Sequence, residues 1–305
     1  MKIDIETLRK TKGIGSKTLE RIIEQHNKDN VQRHLPEPAK TMLLEENSIN
    51  CGDSVQVMRS HIPDESIDMV ITSPPYDNLR DYNGYSFDYK PMLNEIYRVL
   101  KRGGVCVWVV GDSTINGSET GTSFKHALYG MDIGFNLHDT MIYAKDSPSY
   151  PANSQSVRYS QVFEYMFVFA KGVPSTSNII CDKKNKWGGH TSYGASSSRL
   201  QNGNLKQGKK IHVSEYGARY NIWKINTGYK KSTKDDVAYL HPAIFPEQLA
   251  KDHILTWSNV GDIVLDTMCG SGTSCKMAKE TGRRFIGIDI SEEYCDIASK
   301  RILDK

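Results

Sequence analysis

Mostly apolar runs recur along the 305-residue chain, at 67–71, 105–110, 163–169, 263–265 and 284–288. Apolar runs that lack polar alternation are typical of parallel strands buried on both faces. They are separated by segments with helical spacing, so the chain alternates between the two kinds of element. This alternation predicts an α/β fold built on a doubly wound, mostly parallel sheet of at least six strands.

One helix can be predicted with its end. Within residues 89–102, Leu93, Ile96 and Leu100 recur at helical spacing on one face. Gly103 and Gly104 follow directly, and glycine after the last periodic residue is a helix stop signal. We therefore expect this helix to end at the glycine pair and a buried strand to begin at about 105.

The amino-terminal region predicts a small helical hairpin. Two short apolar helices in residues 1–26 flank a turn that contains Gly13, Gly15 and Lys17. This pattern resembles a helix-hairpin-helix module, whose turn amides bind a phosphate without reading base sequence. A plain αα-hairpin is the alternative. Residues 27–46 predict a linker, and 47–305 predict the main domain.

The first polar loop of interest is Ser73-Pro74-Pro75-Tyr76, which follows the apolar run at 67–71. The prolines stiffen the loop and remove two backbone donors. The Ser73 hydroxyl, the Pro74 carbonyl and the Tyr76 ring remain, and they suit a planar group that carries an NH2. The alternative is a polyproline turn without a chemical role.

The second loop follows the apolar run at 263–265. Asp266, Gly270 and Gly272 form a strand, tight turn and helix pattern, but Cys275 stands where a dinucleotide-binding turn has its third glycine. Asp266 at the strand end favours a ligand with a cationic group. Asp289 lies about 20 residues beyond the turn, the spacing of an acidic residue that binds ribose hydroxyls, with helix capping as the alternative.

These residues resemble the DNA amino-methyltransferases that modify exocyclic nitrogens of cytosine or adenine. The resemblance rests on four segments in order, spanning about 46–303: 50–54, 73–76, 241–247 and 266–272. The catalytic segment comes before the cofactor segment, as in the permuted β group. The family's fold is a Rossmann-like methyltransferase fold, so a doubly wound sheet is implied here too.

The resemblance implies S-adenosylmethionine as the cofactor and a base flipped out of double-stranded DNA as the substrate. It places Asp53 near the cofactor adenine and Phe245 and Pro246 over the cofactor methionine. Met268 stands in a Thr267-Met268 pair where many members have Pro-Phe, so the cofactor lining differs there. Ser73 and Pro74 would orient the amino group, and Pro75 and Tyr76 complete the catalytic motif.

Serine at the first position of the catalytic motif is, within the family, more typical of cytosine N4 than of adenine N6. Adenine N6 stays the alternative, as does an amino group on RNA or on a protein amide. A third possible class of protein is a binding protein that has lost its catalytic activity. The intact acceptor and cofactor motifs argue against this class. Methylation at cytosine C5 is excluded because it requires a nucleophilic thiolate and no Pro-Cys pair occurs.

Residues 172–235 predict a target recognition insertion. This segment contains ten lysines, two arginines and three acidic residues, which gives it a net charge of +9. The net charge of the whole chain is +3. Aromatic residues are interleaved, a composition that suits phosphate and base contacts. A flexible polar insertion is the alternative. The lysines expected to contact DNA are Lys183, Lys184, Lys186, Lys209 and Lys210.

The remaining composition limits the class of protein. Six scattered cysteines form no Cys-x-x-Cys pair, so neither a zinc site nor a disulfide framework is predicted. The chain has no run of 18 apolar residues and no signal segment, which predicts a cytoplasmic protein that acts at DNA without a membrane. A cognate restriction endonuclease is a candidate partner, and the expected state is a monomer or homodimer.

Overall fold

The computed structural model describes residues 44–75, 87–148, 155–193, 198–206 and 210–303. Several predicted features lie outside these ranges: the hairpin with Gly13, Gly15 and Lys17, nearly all of the linker, Tyr76, and Lys209. They stay predictions.

Eight strands form one sheet. They are β1 Ser48–Cys51, β2 Ile67–Thr72, β3 Leu100–Val110, β4 Asn136–Ala144, β5 Phe163–Ala170, β6 Ile222–Lys224, β7 Ile263–Asp266 and β8 Arg284–Asp289. Their order is β1-β8-β7-β2-β3-β5-β4-β6. Among these eight strands only β5 runs antiparallel to its neighbours. The predicted mostly parallel sheet is confirmed.

Helices cover both faces of the sheet. They are α1 Ser54–His61, α2 Tyr89–Val99, α3 Thr122–Asp132, α4 Glu247–Trp257, α5 Thr273–Glu280 and α6 Glu292–Leu303. The first three pack against one face and the last three against the other. In β2, Met69 and Ile71 face the second group whereas Val70 faces the first, so the strand is apolar on both sides. This double burial explains the uninterrupted apolar pattern.

The predicted end of the 89–102 helix is wrong. Helix α2 ends at Val99, and β3 begins at Leu100 without a loop between them. Gly103 and Gly104 lie inside β3, where a Cβ on Gly104 would approach the Asp68 carbonyl oxygen within 3.0 Å. Gly103 has a φ of +81°. The glycine pair therefore allows a bend and close strand approach at a register shift between β2 and β3.

The predicted insertion is built from short antiparallel ribbons. Lys183–Lys184 pairs with Tyr216–Gly217, Thr191–Tyr193 with Lys210–His212, and Ser198–Arg199 with Leu205–Lys206. The insertion then returns to the main sheet as β6, where Trp223 is buried. No helix among the described residues is long and apolar enough to span a bilayer.

Candidate active site

One cavity of about 1090 Å³ lies at the carboxyl edge of the sheet. Many of its lining residues lie at the ends of the strands or in the loops that follow them. The order of the strands in the sheet therefore sets the order of these residues along the cavity. Asp289 and Asp266 end the neighbouring strands β8 and β7, and Asp53 follows β1, which is next to β8. Ser73 follows β2, next in the sheet, and Asp112 follows β3. The acidic end and the serine loop are thus adjacent parts of one cavity.

The loop 73–75 is connected directly to the cofactor strand. Strands β2 and β7 are paired through Leu265 and Val70. Beyond the paired residues, the Thr267 hydroxyl donates to the Thr72 hydroxyl over 3.3 Å. Neighbouring strands lie about 4.8 Å apart. The two loops predicted to cooperate therefore share one edge of the sheet, and Ser73, Pro74 and Pro75 all line the cavity.

The turn between β7 and α5 requires glycine at two positions. Gly270 has φ +49° and Gly272 has φ +74°, the left-handed region that glycine tolerates best. A Cβ on Gly270 would lie 2.8 Å from Nε2 of His241. A Cβ on Gly272 would lie 2.9 Å from the Cβ of Ala298 in α6. Both backbone conformation and close packing thus exclude a side chain here.

Asp266 is a buried carboxylate at the end of β7. Burial raises its pKa to about 6, and the nearby charge of Asp289 acts in the same direction. Hydrogen bonds from Ser274 and Thr72 act the other way, and the backbone amide of Met268 donates to Oδ1 over 3.2 Å. A carboxylate that is difficult to ionise beside a cavity is well suited to a cationic ligand group.

Asp289 holds the glycine turn in place. Its Oδ2 accepts the Gly270 amide over 2.8 Å, and its Oδ1 accepts the Ser291 amide over 3.0 Å. The Ser291 hydroxyl in turn accepts the Tyr294 amide, so Ser291 rather than Asp289 caps α6. Each carboxylate oxygen has a second lone pair, so Asp289 is still able to accept from a ribose hydroxyl.

Asp53 also has a structural partner. Its side chain caps α1 by accepting the Gln56 amide over 2.9 Å. The neighbouring Ser54 hydroxyl donates to the Thr267 carbonyl oxygen over 2.5 Å. This bond joins the loop after β1 to the loop after β7, so that both line the acidic end of the cavity.

The segment 241–246 forms a further wall. His241 packs edge-on against Tyr294, with ring centroids 4.3 Å apart. Met268, Phe245 and Pro246 all line the cavity. Pro246 is buried, and Phe245 packs against the core. The structure therefore brings every described residue of the predicted cofactor set around this cavity except Gly272, which shapes the turn from behind.

At the other end of the cavity lie three residues that the sequence analysis did not assign: Tyr143 and Lys145, around the end of β4, and Glu164 in β5. The Lys145 ammonium lies 2.5 Å from Glu164. The buried Tyr143 hydroxyl has no hydrogen-bond partner within the described residues, and burial raises its pKa. Such a hydroxyl is costly to bury. These residues belong to two different strands, and the pattern of apolar and polar residues in a strand does not predict which side chains of another strand they contact.

The predicted DNA-contacting lysines lie elsewhere. Lys183, Lys184 and Lys210 are on the ribbons, Lys186 lies in the turn after Lys184, and none of the four lines the cavity. Three of them are exposed, and Lys183 is half-buried over the Tyr220 ring. Other cations of the segment are paired internally: Arg219 forms ion pairs with Asp182 and Asp252. The positive charge that this surface can offer to a ligand is thus smaller than the net charge of +9 counted for residues 172–235.

Comparison with known proteins agrees with this architecture. The family model described as DNA methylase, for N6 and N4 amino-methyltransferases, matches residues 67–300. The orphan methyltransferase M.BamHII of Bacillus amyloliquefaciens is 54% identical over 246 residues, covering 80% of this chain and 92% of that protein. The type II methyltransferase M.SmaI of Serratia marcescens is 27% identical, covering 85% and 93%.

Solved structures share the fold. The cytosine-N4-specific PvuII DNA methyltransferase superposes with a TM-score of 0.64 at 20% identity, covering 88% of this chain and 91% of that chain. The protein TTHA0409 of Thermus thermophilus, complexed with S-adenosyl-L-methionine, superposes with a TM-score of 0.54 at 23% identity, covering 84% of this chain and 95% of that chain. The Rossmann-like methyltransferase fold is confirmed. The chain belongs to the N4-cytosine/N6-adenine DNA methyltransferase family.

Gly272→Ala tests the packing of the turn. The variant should lose about 1–3 kcal/mol of unfolding free energy, since it combines left-handed strain with a clash against Ala298. Gly261→Ala is the matched control, because Gly261 also has positive φ but open space around it. Urea denaturation measures both variants. Equal losses would show that the contact with α6 adds nothing.

Proposed function

We propose that this protein transfers a methyl group from S-adenosylmethionine to the exocyclic amino nitrogen of a base flipped out of duplex DNA, with cytosine N4 as the preferred acceptor. The observation that carries the proposal is the cavity shared by the serine loop after β2 and the glycine turn after β7. Its volume of about 1090 Å³ is at the upper end for ligand pockets, as a cofactor and a base together require.

The chain's own residues fit this cofactor. Asp266 lies beside the turn and can offset a positive charge, while Asp53 and Asp289 offer carboxylate oxygens to hydroxyl groups. Phe245 and Met268 supply apolar surface. When bound, S-adenosylmethionine supplies an electrophilic methyl group on a cationic sulfur.

Ser73 and Pro74 would act on the acceptor nitrogen. An exocyclic amine is a weak nucleophile because its lone pair is delocalised into the ring. The Ser73 hydroxyl oxygen and the Pro74 carbonyl oxygen can each accept a hydrogen bond from the NH2 group and leave the lone pair directed at the methyl group. Methyl transfer breaks the carbon–sulfur bond, and the nitrogen then releases one proton to water. Fixed acceptors of this kind act by positioning and preorganised dipoles and need no strong base. Tyr76 is proposed to stack on the base.

The preference for cytosine rests on Ser73, because a neutral hydroxyl stands where adenine-specific relatives more often have a carboxylate. Adenine N6 is the alternative within the same chemistry. The exposed lysines on the ribbons, together with Trp187, whose side chain is 64% exposed, favour a nucleic acid over a protein amide as the substrate. The proposed partner is therefore duplex DNA. A cognate endonuclease and the oligomeric state stay predictions.

The function is tested by incubating the full chain with plasmid DNA and methyl-labelled S-adenosylmethionine, then digesting the DNA to nucleosides for mass spectrometry. We expect N4-methylcytosine. Detection of N6-methyladenine instead would show that the acceptor is adenine N6 and not cytosine N4. Label at cytosine C5, or in no base, would reject the proposal. Parallel reactions with RNA and with protein acceptors separate the substrate classes.

Ser73→Ala should lower kcat by on the order of 10²-fold, because one fixed acceptor on the amine is lost. Its affinity for S-adenosylmethionine should stay within about twofold of wild type, since the glycine turn is untouched. Steady-state kinetics and calorimetry measure the two quantities. A large loss of cofactor affinity with unchanged kcat would contradict the assigned role.

Cofactor affinity should decrease as the pH falls. The folded pKa of Asp266 is raised to about 6, so the free protein takes up a proton there as pH drops below that value. A bound cation favours the ionised form, so binding must release that proton. We expect the Kd for S-adenosylmethionine to rise roughly tenfold between pH 7 and pH 5.

Asp266→Asn provides the control for this pH effect. The variant should bind more weakly at pH 7 and show a flat profile, because no proton is exchanged at that position. Calorimetry in two buffers of different ionisation enthalpy would detect the released proton directly. A wild-type Kd that is constant from pH 7 to pH 5 would remove Asp266 from contact with the cationic group.

A further inference from the structure

A buried ionic cluster lies directly behind the glycine turn. Its two cations are Arg301 of α6 and Lys276 of α5, and its two carboxylates are Asp235 and Glu247. The Arg301 side chain is 0% exposed and that of Lys276 is 6% exposed. Neither cation lines the cavity. The function proposed above does not use this cluster.

The guanidinium of Arg301 contacts the glycine turn on one side. Nη1 donates to the Ser271 carbonyl oxygen over 3.0 Å, to the Ser271 hydroxyl over 3.2 Å and to the Thr273 hydroxyl over 2.7 Å. Ser271 and Thr273 both line the cavity. One nitrogen thus holds the turn at the residues immediately before and after Gly272.

The same guanidinium contacts the segment 232–247 on its other side. Nη2 donates to Glu247 over 2.8 Å and to the Thr233 hydroxyl over 3.1 Å, while Nε donates to Asp235 over 3.0 Å. This segment carries the cavity wall 241–246 and follows the basic ribbons along the chain. Arg301 therefore links the glycine turn to residues that flank the wall 241–246 on both sides.

Lys276 contacts the same two carboxylates as Arg301, but within the described residues its side chain makes no hydrogen bond to the glycine turn. Its ammonium lies 2.6 Å from Asp235 and 2.5 Å from Glu247. Burial alone would raise the pKa of Asp235 and Glu247, but hydrogen bonds from Lys276, together with one from Arg301 to Asp235, lower both pKa values. The two buried cations and these two carboxylates balance, and the exposed Glu280 lies 3.7 Å from the Lys276 ammonium. Removing either cation should destabilise the fold, because a buried carboxylate loses a partner.

We infer that Arg301 is a positioning residue for the cofactor: its planar guanidinium ties the glycine turn to Thr233, Asp235 and Glu247, which flank the wall 241–246, and so sets the shape of the cavity end that receives S-adenosylmethionine. A lysine can replace this function only in part, because it keeps the charge but lacks the fork that contacts the turn and the segment 232–247 at once. The inference rests on the cofactor assignment and not on which base is methylated.

Arg301→Met and Lys276→Met separate positioning from stability. Both variants remove one cation from the same cluster, and both should lower the melting temperature of the full chain. Only Arg301→Met removes hydrogen bonds to the turn. We expect its Kd for S-adenosylmethionine to rise at least about tenfold, whereas Lys276→Met should stay within about threefold of wild type. Calorimetry below the melting temperature of each variant measures these affinities.

Kinetics give a second measurement. At saturating cofactor, Arg301→Met should retain most of its kcat while the KM for S-adenosylmethionine rises, because the turn is misplaced but the serine loop is intact. The KM for DNA should not change. If Arg301→Met does not fold, Arg301→Lys takes its place, since it keeps the charge and should bind the cofactor about three- to tenfold more weakly.

Equal cofactor affinities in folded Arg301→Met and Lys276→Met would overturn the inference, as would a wild-type affinity in Arg301→Lys when Arg301→Met is unfolded. Failure of the proposed function has a different signature. In that case the wild-type chain binds S-adenosylmethionine but transfers no methyl group to DNA, and the binding comparison between the variants still decides the role of Arg301.

Discussion

The pairing of β2 with β7 is the constraint on which the site depends. Parallel strands direct their carboxyl ends to one edge, so two loops that are almost 200 residues apart along the chain become neighbours. Their separation is set first by the backbone pairing of the two strands, and the hydrogen bond between the Thr267 and Thr72 hydroxyls adds a side-chain contact. A register shift of one residue would exchange the two faces of β2 and disrupt the apolar packing on both sides of the sheet. The core therefore maintains the relative position of Ser73 and the glycine turn.

The close packing behind the turn extends this constraint. Gly270 lies against His241, and Gly272 lies against α6, so the turn has no room to move outward. Asp289 holds the Gly270 amide on one side, and Arg301 holds Ser271 on the other. These packed and hydrogen-bonded neighbours keep the turn preorganised for a ligand.

The sequence predicted those parts of the site whose chemistry is local. Ser73, Asp266, Gly270 and Gly272 belong to short segments in which strand, turn and residue type agree, and the fold followed from apolar runs. Arg301 was missed because its partners are 28 to 68 positions away. A lone arginine near the end of an amphipathic helix is ordinarily a surface residue. The predicted end of α2 was wrong because glycine is typical both of helix ends and of bends in strands.

The proposed function requires one protein to bind a cationic cofactor and a polyanion, and the distribution of charge fits both. Asp53, Asp266 and Asp289 line one end of the cavity, while the exposed lysines lie outside it. The two cations nearest the turn, Lys276 and Arg301, are neutralised by Asp235 and Glu247. Without those carboxylates, buried positive charge would repel a sulfonium at short range, where screening by salt is weak. Internal pairing therefore allows Arg301 to shape the site without opposing its ligand.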